Sequence, residues 1–313
     1  MKKLLISAFL LAVICACLFS CGEKEDTGSG LHIVATVFPQ YDFASRIAEG
    51  TDARVTMLMT PGSEAHSYEP TPADMVEITG CDLFITVGGE SEAWAKKIAD
   101  SAGLDGEKML SLMEVAFLLP EEEGIEHEHG DEDEHEDEYD EHVWTSPKNA
   151  IAIVSAISQK MCALDGKNAD KYRENTEKYV SELEALDEKF ASLSEGAKGK
   201  MLIFGDRFPF LYLAREYGFE YRSAFSGCSA QTEASAATIA ALIDVSREED
   251  AKVIFAVDFS NGKLAKMIAD EVGAKVEFLY SAHTVAASDM EKGVGYLDIM
   301  EQNLEKISEA LGK

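Results

Sequence analysis

Short apolar runs alternate with amphipathic stretches along most of this chain. In the first half, β-like runs occupy residues 32–37, 54–59, 82–87 and 108–113, with helical patterns near 40–49, 72–79 and 91–101. After residue 200 the alternation resumes, with strands predicted at 200–205, 219–225, 251–257 and 274–280 and helices near 208–217, 233–247, 261–271 and 293–311. Strands that alternate with helices are typical of βαβ units and a parallel sheet. The pattern therefore predicts an α/β fold class.

A helix is predicted to start near Pro147, and a longer one separates the two α/β regions. In residues 166–197 the apolar side chains recur at helical spacing along one face: Tyr172, Tyr179, Leu183, Leu186, Phe190 and Leu193. At about 1.5 Å per residue this helix is roughly 40 Å long, enough to cross a domain. We therefore predict two lobes, 31–165 and 198–313, each with a mainly parallel sheet flanked by helices, joined by one long rigid helix.

The first residues are typical of a targeting segment. Lys2 and Lys3 precede an apolar run that ends in "LFSC", which is the order of charged, apolar and small residues in a secretory signal. The stretch resembles a bacterial lipobox, so we predict a lipoprotein signal peptide at 1–20 and lipidation of Cys21. We expect residues 21–30 to form a flexible tether. An uncleaved membrane helix is the alternative, although sixteen apolar residues are marginal for spanning a bilayer.

The net charge restricts the possible partners of this chain more than its hydropathy does. The 313 residues are 46% hydrophobic, enough for a sizeable core, but the formal net charge is -30. Such a chain repels nucleic-acid phosphates and attracts cations. Much of the charge lies in residues 121–142, which hold fourteen carboxylates, four histidines and no basic residue. Because charges at this density cannot be buried, we predict a solvated acidic, His-rich loop at 121–141.

Four residues that can bind a metal follow predicted strands, two in each lobe. His66 lies in a proline-flanked loop after the second strand, and His142 ends the acidic tract after the fourth. Asp206 and His283 follow the first and last strands of the second lobe. Ligands in open parallel sheets bind beyond the carboxyl ends of the strands. A cleft between the lobes would therefore bring these four side chains together.

Each of these residues also has a structural interpretation. His66 could be a surface histidine, and His142 could simply be the last member of the acidic tract. Asp206 could cap the following helix or pair with Arg207. His283 could be a loop histidine with satisfied hydrogen bonds.

Further candidates rank below these four. Glu233 and Asp258 also follow strands and could support the ligands or replace one of them. Cys228 is a soft candidate ligand. If the signal peptide is removed and Cys21 carries lipid, three cysteines remain, Cys81, Cys162 and Cys228. At most one disulfide can form among three cysteines.

Two histidine motifs, "PGSEAHSYEPTPADM" and "DEHVWTSPKNA", resemble those of the metal-binding lipoproteins that serve ABC importers of zinc and manganese, the ZnuA-like family. The similarity extends over nearly the whole mature chain, including "DRFPFLYLAREYGFEYRSAFSGCSAQTEAS". It implies two α/β lobes with the metal at their interface. Carried over residue by residue, it supports His66 and His142 and places the other two ligands at Asp206 and His283. The family usually has a histidine or glutamate at the third position and a carboxylate at the fourth.

Three imidazoles and one carboxylate suit tetrahedral zinc, whereas manganese prefers oxygen-rich sites. We therefore expect a monomeric, extracytoplasmic binding protein, lipid-anchored to the bacterial cell membrane, that captures zinc. A preference for manganese is the alternative. The resemblance also implies the partners, a membrane ABC permease and its cytoplasmic ATPase. No nucleic-acid partner is expected.

The acidic tract has a parallel in the family, whose zinc-binding members often carry a His- and acid-rich insertion before the second histidine. Carboxylates concentrate divalent cations, and imidazoles favour zinc over calcium and magnesium. We hypothesise that His127, His129 and His135 collect zinc and pass it to His142. A solvated loop with no effect on uptake is the alternative.

We expect no enzymatic activity. The sequence has no HExxH motif, no Ser-His-Asp order and no phosphate loop. Four protein ligands would also leave zinc without the open position that catalysis needs. The competing classes are an extracellular zinc hydrolase with Asp206 as its base, and an acidic surface adhesin or calcium buffer.

Overall fold

A computed structural model of the chain describes residues 30–63, 68–122, 139–197, 199–229 and 233–313. Several residues predicted to bind metal or lipid lie outside these ranges: Cys21, His66, His127, His129 and His135. The predicted signal peptide and most of the acidic tract lie outside them as well. Among the described residues, no helix combines the length and the apolar character needed to cross a membrane.

The first lobe is a four-stranded parallel sheet with helices between its strands. Its elements are β1 (His32–Ala35), α1 (Phe38–Ala48), β2 (Arg54–Met57), α2 (Pro72–Gly80), β3 (Leu83–Thr86), α3 (Ala93–Ala102) and β4 (Met109–Ser111). The strand order is β2-β1-β3-β4, and all neighbours are parallel. The sequence starts α2 with a capping box, in which Thr71 Oγ1 accepts the backbone N–H of Asp74.

Two helices connect the lobes. α4 (Pro147–Leu164) begins at the predicted proline, and its N-cap Ser146 accepts the backbone N–H of Asn149. α5 (Ala169–Glu195) is the predicted linking helix. The side chains predicted for its apolar face are buried, apart from the half-buried Leu193. This face packs against α1 and α4, and α5 also contacts two helices of the second lobe.

The second lobe repeats the arrangement of the first. Its elements are β5 (Met201–Phe204), α6 (Leu211–Tyr217), β6 (Glu220–Ser223), α7 (Ala236–Glu248), β7 (Val253–Val257), α8 (Lys263–Val272), β8 (Lys275–Leu279), α9 (Ala287–Glu291) and α10 (Tyr296–Ala310). The strand order is β6-β5-β7-β8, again parallel. Helices α6 and α10 contact α5. The sequence pattern does not predict the five-residue α9.

In β3 and β7, alternate residues belong to different apolar cores. In β3, Leu83 packs in a large core that includes residues of both lobes, whereas Phe84 packs in a smaller core with residues of α2 and α3. In β7, Phe255 joins the large core and Ile254 a separate small one. The large core also contains side chains of α4, α5 and α10. Two parallel sheets flanked by helices confirm the predicted fold class, while the exact lobe boundaries stay a prediction.

Candidate metal centre

Residues that follow strands of both lobes line one cleft. They are Ser63 after β2, Arg207 after β5, Gly227 after β6, Asp258 after β7, His283 and its neighbours Ser281 and Thr284 after β8, and His142 from the connection between β4 and α4. This is the edge at which parallel sheets bind their ligands. The structure therefore brings His142, Asp258 and His283 together.

The position of His142 is held by the segment that follows it. This residue immediately precedes a 3-10 turn, Val143–Thr145, in which Trp144 is fully buried. The Trp144 indole N–H donates to the carbonyl of Ser281 at 2.9 Å, and the Tyr296 hydroxyl donates to the Trp144 carbonyl at 2.6 Å. His142 itself is 1% exposed. The first lobe's histidine is therefore fixed against the second lobe.

His283 follows β8 and meets His142 edge to face. The two ring centroids are 5.5 Å apart, with an interplanar angle of 90°. The Trp144 ring packs on both imidazoles, with centroid distances of 5.5 Å to His142 and 4.9 Å to His283. Because a Zn–N bond is about 2 Å long, two imidazoles at this separation can bind one ion.

Asp140 and Cys228 form a compact group with His142. One potential ligand atom from each of the three residues lies within 4.8 Å of the others. His142 Nδ1 is 3.0 Å from Asp140 Oδ1, which also accepts the backbone N–H of His142 at 2.8 Å. A carboxylate beside Nδ1 orients an imidazole for coordination through Nε2. Sequence reasoning missed Asp140, because nothing local distinguishes it from the other carboxylates of the tract.

Burial and neighbouring charges shift the pKa values of His142 and Cys228 in opposite directions. Burial lowers the pKa of His142, but the carboxylate of Asp140, and after it the thiol of Cys228, raise that pKa to about 10. Burial raises the pKa of the Cys228 thiol, although the hydrogen bond and charge of His142 oppose the change. A metal ion that binds His142 or Cys228 must therefore displace a proton.

Asp258 and Glu233, the two predicted supporting residues, differ in position. Asp258 lines the cleft, and its Oδ1 accepts the backbone N–H of Ser281 at 2.8 Å. Burial raises the pKa of Asp258 to about 6, while hydrogen bonds from Ser281 and the charge of Arg207 act to lower it. Glu233 is exposed and is not among the described residues that line the cleft.

The carboxylate of Asp206 hydrogen-bonds to the end of β7 and to the loop that follows it. Its Oδ2 accepts the backbone N–H of Val257 at 3.3 Å and the hydroxyl of Ser260, and its Oδ1 accepts the backbone N–H of Arg207 at 2.9 Å. The next side chain, Arg207, lines the cleft. Asp206 thus ties the β5–α6 connection to β7. Asp206 is not among the described residues that line the cleft with the two imidazoles, and its role as a ligand stays a prediction.

His66 lies outside the described residues, but its described neighbours lie beside His283. Ser63 lines the cleft together with His283, and Tyr68 lines a smaller cavity with the same histidine. The chain therefore reaches the candidate site on both sides of residues 64–67.

The described ends of the acidic tract lie next to the same group. Pro120 and Tyr139 pair in an antiparallel bridge. The carboxylate of Glu121 accepts the backbone N–H of Cys228 at 3.2 Å. Both ends of the tract are thus adjacent to the cluster around His142.

The sequence matches the family model described as ZnuA, zinc-uptake complex component A, periplasmic, over residues 33–310. This chain belongs to the ZnuA family. The high-affinity zinc uptake system protein ZnuA of Bacillus subtilis is 33% identical to it over an alignment of 315 residues that covers 97% of this chain and 95% of that protein. The zinc-binding lipoprotein AdcA of Streptococcus pneumoniae is 32% identical over 312 residues, 99% of this chain but only 61% of AdcA.

Solved structures of similar proteins share the fold of this ZnuA-family chain. The metal-dependent lipoprotein YcdH from Bacillus subtilis has a TM-score of 0.74 at 30% identity, covering 90% of this chain and 99% of YcdH. The Zn(II)-bound ZnuA-like domain of Streptococcus pneumoniae AdcA has a TM-score of 0.74 at 28% identity, covering 91% of this chain and 100% of that domain.

Proposed function

We propose that this ZnuA-family protein captures zinc in the cleft and delivers it to an ABC permease. The observation that carries the proposal is the pair of imidazoles of His142 and His283, whose ring centroids are 5.5 Å apart where the two sheets meet. His66 is the proposed third imidazole, since its described neighbours lie at the cleft. Imidazoles suit zinc better than manganese. Relatives named for zinc support the same ion.

We further propose that the protein works outside the cytoplasm, anchored to the cell membrane by lipid on Cys21. The "LFSC" stretch supports this anchor. AdcA and YcdH are both named as lipoproteins. The proposed partners are a membrane permease that accepts the released zinc and a cytoplasmic ATPase that drives transport. We expect the binding protein to be a monomer.

We propose a binding protein and not an enzyme, and the contacts of Asp206 support this choice. The competing zinc hydrolase would need Asp206 as a base beside the metal. The hydrogen bonds of Asp206 to Val257 and Ser260 argue against that role.

Metal titration of the mature protein tests the proposal. With zinc and manganese in competition, we expect one tightly bound zinc ion per molecule. His142→Ala should weaken zinc binding by more than about 100-fold, since loss of a residue that merely supports a ligand already costs 10–100-fold. His32→Ala is the matched control, because His32 lies on β1 and contacts Thr56 and Glu77. Unchanged zinc affinity in His142→Ala, or a preference for manganese, would contradict the proposal.

The acidic tract is proposed to collect zinc and pass it to the cleft. The contact of Glu121 with Cys228 supports the proposal, since it places one end of the tract beside His142. Replacing His127, His129 and His135 by Ala should remove weakly bound zinc and leave the tight site filled. Equilibrium dialysis measures both classes of site, and an unchanged total of bound zinc would exclude the collector role.

A further inference from the structure

Cys228 differs from the two other cysteines in the described part of the chain, although all three are free thiols. The thiols of the buried Cys81 and the half-buried Cys162 each donate to a backbone carbonyl, at 3.1 and 3.5 Å. Cys228 instead lies with Asp140 and His142, in a group whose ligand atoms are within 4.8 Å of one another. Its neighbours are thus groups that bind metals.

Contacts with both lobes fix the loop that carries this thiol. The backbone N–H of Cys228 donates to Glu121 in the first lobe. At Gly227 an added Cβ would lie 2.7 Å from Asp140 Oδ2 and 3.0 Å from the carbonyl oxygen of Phe208. A residue without a side chain is therefore required there, and its backbone approaches Asp140 closely. This close approach brings the next side chain, Cys228, to His142.

We propose that Cys228 binds the cleft zinc as a thiolate, in the place that sequence analysis gives to Asp206. The inference rests on the proposed zinc-binding function and specifies one ligand of that site, beside His142 and His283. Asp140 is then a positioning residue that holds the imidazole of His142. On binding, a zinc–sulfur bond replaces the S–H bond and the thiol proton leaves to solvent.

A thiolate ligand determines which cations the cleft prefers. Thiolates are soft donors that bind zinc well, at about 2.3 Å, whereas manganese favours carboxylate, carbonyl and water oxygens. A thiolate in place of the carboxylate expected from the sequence therefore makes the cleft more selective against manganese. Cys228→Ser should lower the ratio of zinc to manganese affinity by about tenfold or more.

Cobalt(II) titration of the unmodified mature protein tests sulfur ligation without any substitution. Cobalt bound through a thiolate gives an intense near-ultraviolet charge-transfer band, which imidazole and carboxylate ligands do not give. We expect this band in the unmodified protein and in Cys162→Ser, the matched control on α4. Cys228→Ser should bind cobalt without the band.

The outcomes separate this inference from the proposed function. Cobalt bound in the unmodified protein without the band, or a band that persists in Cys228→Ser, would overturn ligation by Cys228 and leave the zinc-binding function standing. If neither cobalt nor zinc binds the unmodified protein, the proposed function itself fails, and the inference fails with it.

Discussion

Each lobe buries a carboxylate in the connection that follows its third strand, and the two lobes use it differently. Glu92 and Asp258 both follow the third strand of a sheet with the same strand order, β3 and β7. The carboxylate of Glu92 accepts the backbone N–H groups of Val87 and Gly88, in its own loop, at 2.6 and 3.3 Å. Asp258 accepts the backbone N–H of Ser281 and lines the cleft.

The comparison shows that the lobes are not interchangeable halves of one site. In the first lobe the histidine at the cleft, His142, comes from the connection between β4 and α4. In the second lobe, Asp258 and His283 reach the cleft from loops that directly follow β7 and β8. A shared topology thus determines the edge at which a ligand binds, while individual loops determine which side chains meet it.

The largest expected effect is the loss of folding stability with rising pH that Glu92 causes. Burial raises its pKa to about 7, against hydrogen bonds from Thr36, Gly88 and Val87 that lower it. Because this pKa is raised above its unfolded value of about 4.5, the folded state favours the protonated carboxyl. The contribution of Glu92 to stability is therefore complete below about pH 4.5 and falls by about 3 kcal/mol as the pH rises to about 7.

Urea unfolding of the metal-free protein across this pH range measures the effect. In Glu92→Gln, which does not titrate, the free energy of unfolding should fall much less with rising pH than in the unmodified protein. Glu90→Gln, an exposed change in the same loop, is the control and should keep the unmodified profile. Parallel profiles for Glu92→Gln and the unmodified protein would show that burial does not raise the pKa of Glu92.

A smaller effect, on zinc affinity, is expected when Asp140 is changed, because its carboxylate orients His142. Asp140→Asn keeps the size of the side chain but removes the charge beside His142 Nδ1. We expect zinc affinity to fall by about 10–100-fold, the usual cost of losing a carboxylate that holds a ligating histidine. Competition with a chelator of known affinity measures it. Unchanged affinity would mean that the contacts of Trp144 alone position the imidazole.

The smallest expected change in zinc binding is at Asp206. Asp206→Asn weakens the hydrogen bonds to Val257 and Ser260, so we expect the free energy of unfolding to fall by about 1–2 kcal/mol. Zinc affinity should stay within about threefold, because Arg207 and not Asp206 lines the cleft. Thermal unfolding and zinc competition on one sample measure both quantities. A large loss of zinc affinity with normal stability would restore Asp206 as a ligand.

The secondary structure was predictable because its signals are local. The spacing of apolar residues predicted the buried face of α5, and Pro147 marked the start of α4. Prediction was weaker where the chain leaves a regular element. The run at 108–113 contains only a three-residue strand, β4, which continues directly into a 3-10 turn, Leu112–Glu114. A short apolar run fits either conformation, so periodicity alone cannot separate them.

By itself, the sequence determined two parallel sheets, the helix that links them, and the histidines that follow their strands, since all three depend on residues close together in the chain. Tertiary structure decided which other groups join those histidines. Asp206 and Arg207 are adjacent, and successive side chains at a strand end point in different directions, so only the packing of β5 against β7 determines that Arg207 faces the cleft. Asp140 and Cys228 meet because the two lobes pack together, and no local pattern relates residues so far apart in the chain.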